Sequence, residues 1–170
     1  MRKKLVLAIF GAFVCAFPDV SIGQENRIDL STIVTKTDAE SALGEPVKEP
    51  QTRNGDGSDG YYSRCNYYSS NPGRSLVLRV HQSSVGKIPL KKHFETLSAG
   101  TGKIDNVSGL GDKAGCFKGG GEGNAPLNSM MLYVAKGNAF VTVGIGGMSD
   151  DKLALEKAKG LAKKILAQLQ

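Results

Sequence analysis

The sequence predicts an α+β fold, one antiparallel β-sheet of about five strands with three helices packed on it. Three observations lead there. Segments such as Ala139 to Ile145 alternate with a period of two, as strands with one buried face do. Short connections rich in glycine, asparagine and proline separate them, which favours antiparallel neighbours. The chain then ends on Ser149 to Leu169, where Leu155, Ala158, Leu161, Ala162, Ile165 and Leu169 form one helical stripe. The element order reads helix, hairpin, helix, strands, hairpin, helix.

The chain has 170 residues, and its start has the pattern of an export signal. Arg2, Lys3 and Lys4 precede an apolar run from Leu5 to Phe17, and Ser21-Ile22-Gly23 supplies small residues for cleavage. Residues 1–23 are therefore expected to be a signal peptide and residues 24–170 a single domain. The apolar run is shorter than a membrane span. A lipid anchor at Cys15 is disfavoured, because Val14 and Phe13 stand where a lipidation signal wants a small residue. The expected location is periplasmic or extracellular.

The whole chain carries a net charge of +6. Without Arg2, Lys3, Lys4 and Asp19, the 22 basic and 16 acidic residues become 19 and 15, a balance of +4. That charge is dispersed, tryptophan is absent, and basic and aromatic residues do not interleave. These features argue against a nucleic-acid partner.

The first helix is expected over Thr37 to Gly44. Thr35 or Thr37 caps it, Asp38 and Glu40 lie at its positive end, and Gly44 stops it. Glu45 to Gly60 reads as a loop, from Pro46, Pro50 and the run Asn54-Gly55-Asp56-Gly57-Ser58-Asp59-Gly60. Tyr61 to Ser69 and Ser75 to His81 form a hairpin around Asn71-Pro72-Gly73-Arg74. Alternation puts Tyr61, Ser63, Cys65 and Tyr67 on one face of the first strand and Tyr62, Arg64, Asn66 and Tyr68 on the other. In the second strand, Leu76, Leu78 and Val80 oppose Val77, Arg79 and His81.

A second helix opens near Pro89, uses Leu90, Phe94 and Leu97 as its apolar spacing, and stops at Gly100. Ile104 to Val107 and Lys113 to Lys118 read as strands joined by a structural turn of Gly109, Gly111 and Asp112. Gly119 to Asn124 is a glycine-rich loop. Met130 to Ala135 and Ala139 to Ile145 form the last hairpin, through Lys136-Gly137-Asn138. The final helix takes Ser149 as its cap.

Cys65 and Cys116 remain after the leader, an even number in an oxidising compartment. A structural disulfide between them is expected, worth about 4 kcal/mol by loop closure. It would make the Asn106 to Phe117 stretch a clasp between the two halves of the sheet.

Several segments resemble a group of small exported bacterial proteins and lipoproteins of unknown function, many of them actinobacterial. The shared pieces are Ala42-Leu43-Gly44-Glu45-Pro46-Val47, Cys65-Asn66-Tyr67 and Gly109-Leu110-Gly111-Asp112. The resemblance implies an extracytoplasmic α+β domain and carries no activity with it.

Catalytic and metal-binding machinery is sparse. His81 and His93 are the two histidines and lack ligand spacing. The 54–60 run lacks the closing glutamate of an EF-hand. The 119–124 loop lacks the lysine and Ser/Thr of a phosphate cradle. No metal, cofactor or catalytic residue is therefore expected. The expected function is a non-catalytic envelope module that binds a small ligand or another envelope protein, with Tyr62, Arg64 and Tyr68 as its candidate face. Two alternatives stay open: a hydrolase-like enzyme using Asp112 with His81 or His93, and a purely structural envelope protein.

Overall fold

In the computed structural model, which describes residues 27–70, 73–84, 86, 94–97, 103–119 and 129–169, a single sheet organises the chain. Its strands are β1 (Gln51–Gly57), β2 (Gly60–Tyr68), β3 (Ser75–Ser83), β4 (Asp105–Val107), β5 (Lys113–Lys118), β6 (Ser129–Lys136) and β7 (Ala139–Gly146). Their spatial order is β1-β2-β3-β7-β6-β5-β4, with every neighbouring pair antiparallel. Two meanders thus meet where β3 pairs with β7. The helices are α1 (Leu30–Ile33), α2 (Lys36–Leu43), α3 (94–97) and α4 (Asp151–Leu166). The α+β class stands as expected, with more strands and helices than the sequence indicated.

Helix ends follow from local chemistry. Thr35 Oγ1 accepts from the Asp38 amide, and the Asp38 carboxylate accepts from the Thr35 amide at 2.7 Å, a complete capping box for α2. Gly44 ends that helix at φ 73°, in the left-handed region that favours glycine, and its amide donates to the Glu40 carbonyl. The Arg74 guanidinium donates to the Leu43 carbonyl just before it. At α4 the cap is Asp150 instead of Ser149. Helical geometry begins at Asp151, so Asp150 holds the half-turn position and accepts from the Leu153 amide at 2.9 Å. Lys136 Nζ closes the other end by donating to the Leu166 and Leu169 carbonyls.

One face of the sheet carries α1, α2 and α4. Leu78, Val143 and Leu132 from three strands, with Leu30, Leu43 and Ile165 from the helices, are all fully buried there. Tyr67 adds a polar anchor, its hydroxyl donating to the Val34 carbonyl at 2.5 Å. Lys164 of α4 meets Asp38 of α2 at 2.6 Å and ties the two helices together over the sheet.

The expected Cys65–Cys116 disulfide is not formed; both thiols are free and buried. The register gives the reason. The two residues share a cross-strand row, Cys65, Leu78, Val143, Leu132, Cys116, with three strands between them. Four strand spacings amount to about 19 Å, far beyond the Cα separation of under about 7 Å that a disulfide requires.

Residues 51–57 also depart from expectation, since they form the edge strand β1 where the composition indicates a loop. Both faces of β1 are exposed along its whole length, so the hydrophobic alternation that marks a strand is absent. Backbone pairing to β2 across the tight Ser58-Asp59 turn holds it in place. The turn at Gly109 to Asp112 packs against the β6–β7 hairpin. The Asp112 amide donates to the Ala135 carbonyl, and its carboxylate accepts from the Gly137 amide at 2.7 Å, locking this turn onto the β6–β7 hairpin. Gly111 passes so close to the Ala135 carbonyl that any side chain would collide with it. Residues 1–23, Cys15, Pro89, His93 and 120–124 lie outside the described residues.

Candidate functional site

Among the described residues, the second face of the sheet carries much less cover than the first. Alternation sends Tyr62, Arg64, Arg79, His81, Tyr133 and Phe140 to this side. Phe94 of α3 packs on its β5–β6–β7 half, edge-on to Phe140 at 5.9 Å, with Phe117 and Tyr133 completing a small apolar cluster. Toward β1 and β2 this cover ends, and a cleft of about 890 Å³ opens over the strands. That volume falls within the range of small-molecule sites.

Two cross-strand rows line the cleft. One is Tyr62, His81 and Phe140. Tyr62 stacks on His81 with ring centroids 4.3 Å apart and planes 4° apart. The Tyr62 hydroxyl donates to the Asp59 carboxylate, 2.8 Å from either oxygen. His81 Nε2 lies 3.6 Å from Asp59 Oδ2, just past hydrogen-bonding distance, and it is buried without a hydrogen bond among the described residues. The Tyr62 hydrogen bond holds the Asp59 carboxyl below its ordinary range; burial opposes this, and the neighbouring His81 adds to it. Burial and the hydrogen bond to Asp59 push the Tyr62 phenol up.

The other row runs Arg53, Arg64, Arg79, Thr142, Tyr133 in direct register. All three arginines are exposed and line the cleft. Burial raises the Tyr133 phenol, partly offset by Arg79 beside it.

The structure brings some candidate residues together and separates others. Tyr62 and Arg64 both line the cleft. Tyr68 lies on the same face but beyond the cleft wall, where Asn66 Nδ2 donates to its hydroxyl at 3.5 Å. Asp112 does not reach His81. Its carboxylate is engaged by Gly137, and two strand spacings, about 10 Å, separate His81 from Ala135 in the same row. The carboxylate beside His81 is Asp59. Arg53, Tyr133, Phe140 and Thr142 were not singled out from the sequence. Alternation in the sequence sets Arg79 opposite Leu76, Leu78 and Val80, and the β2–β3 register then puts it beside Arg64.

Among the described residues, no group of three or more His, Cys, Asp or Glu is arranged to hold a metal, and no helix is long and apolar enough to cross a membrane. The chain matches no protein family, no curated protein and no solved structure.

Proposed function

We propose that the protein is an exported, non-catalytic binding module whose open sheet face receives a small ligand. The observation that carries this reading is the cleft of about 890 Å³ over β1–β3 and β7, where Tyr62 and Arg64 stand beside Arg79, His81 and Phe140. Rigid strands position every one of these side chains, which suits recognition. The Tyr62–His81 stack offers an apolar wall with polar edges. Export rests on the leader pattern of residues 1–23.

The test is a small-molecule screen by ligand-observed NMR against wild type and Tyr62→Ala. Tyr62 is 41% exposed, so its removal is expected to leave the fold intact while weakening compounds seated in the cleft. A screen yielding no binder, or binders indifferent to Tyr62→Ala whose amide shifts map to the α4 side, would overturn the reading.

A further inference from the structure

The arginine row has no internal explanation. Arg53 is the direct partner of Arg64, and Arg64 of Arg79. Directly opposed residues in antiparallel strands point to the same face, so three guanidinium groups stand side by side across about 10 Å. Like charges in that position repel and weaken strand pairing. A neutralising carboxylate would normally sit among them, and two line the cleft. Both are committed elsewhere: Asp56 pairs with Arg27 at 2.9 Å, and Asp59 accepts from Tyr62. Among the described residues, none of the three guanidinium groups has a hydrogen bond or an ion pair. The row then continues into Thr142 and Tyr133, whose hydroxyls extend the same line of donors.

We propose that Arg53, Arg64 and Arg79 form an oxyanion ladder, and that the ligand of the cleft is a small molecule bearing two or more phosphate or carboxylate groups. The ladder rests on the binding-face reading and names the chemistry of its ligand. Guanidinium forks match both oxyanions bidentately. One such group bridges two adjacent arginines, and a second engages the third, so a single anion such as chloride leaves the row incompletely satisfied. The ligand lies across the strands, its anionic groups along the row and its remaining body toward Met131 and Phe140.

The experiment is calorimetric titration of the purified protein at low salt with pyrophosphate and, separately, citrate. Wild type is expected to bind at least one of them at a single site, and the stronger of the two assigns phosphate or carboxylate as the natural group. Arg64→Gln and Arg79→Gln are each expected to weaken it about tenfold to a hundredfold. Lys152→Gln, on α4 and away from the cleft, should leave it unchanged. A second readout separates recognition from folding. Without ligand, Arg64→Gln should melt no lower than wild type, because the central repulsion is relieved, yet it should lose the melting shift that the anion gives wild type. Equal binding by wild type and both arginine variants would overturn the ladder. So would binding of neutral compounds in the cleft with no response to either anion, which would leave the binding-face reading standing. Failure of both anions and of the whole screen would overturn both.

Discussion

The two faces of the sheet are built from alternate residues of the same strands, yet they differ in almost every physical respect. On the covered face, Cys65, Leu78, Val143 and Leu132 follow one another across four strands with no exposure above 0%. One residue along each of those strands, the open face presents Arg64, Arg79, Thr142 and Tyr133. The first row is close-packed against α1, α2 and α4. The second carries hydroxyls and charges unpaired among the described residues, and the Tyr62–His81 stack stands beside it in the same cleft. A period of two thus lets one set of strands hold the fold with half its side chains and present a chemically demanding surface with the rest. Substitutions on the two faces should therefore fail in different ways.

The largest effect is expected on the covered face. Leu132→Ala should cost about 2–5 kcal/mol, since Leu132 is fully buried and the surrounding strands cannot collapse into the space. Denaturant unfolding would measure it. Tyr67→Phe comes next, at about 1–3 kcal/mol, because it leaves the Val34 carbonyl buried without its donor. Arg79→Gln on the open face should change stability by no more than about 0.5 kcal/mol. A loss of several kcal/mol there would break the comparison by making the arginine row structural.

The α2–α4 tie gives an effect of similarly small size that depends on pH. Burial raises the Asp38 carboxyl, but the hydrogen bonds from Lys164 and Thr35 outweigh it, and the net direction is below the ordinary 3.8. A lowered carboxylate contributes stability that is complete above its unfolded value and fades as pH falls through its folded value. Lys164→Gln should therefore cost about 0.5 kcal/mol at neutral pH, discounted for the partial exposure of both groups. The difference from wild type should vanish in acid below the folded value, read from melting curves across pH.

How much of this was legible in the chain depended on whether the signal was local. The stop of α2 at Gly44 was, and its start was narrowed to a cap at Thr35 or Thr37, because Thr35, Asp38 and Gly44 act within one helix. So were the faces of β2 and β3, which alternation alone assigns. The order of strands was not, because the pairing of β3 with β7 joins residues such as Leu78 and Val143 that lie far apart in sequence. That one unknown misled the reading of the cysteines and hid the arginine row. Cys65 and Cys116 suit an oxidised pair by count and by the compartment the leader pattern leads one to expect, and the intervening strands forbid it. Arg53 was hidden for a second reason: β1 buries nothing, so no hydrophobic pattern marked it as a strand. Alkylation of the denatured protein without reductant should label both Cys65 and Cys116, read by peptide mass spectrometry. Recovery of a Cys65–Cys116 linked peptide would contradict the strand order itself.

The division of labour between the faces can be tested in one titration, by following backbone amide shifts of the isotopically labelled protein as pyrophosphate is added, with citrate as the alternative anion. The expected result is a saturable set of shifts confined to the neighbours of Arg53, Arg64 and Arg79 on β1–β3 and of Thr142 on β7, with α2 and α4 unmoved. Shifts that saturate elsewhere, or no shifts with either anion, would contradict the assignment of binding to the open face.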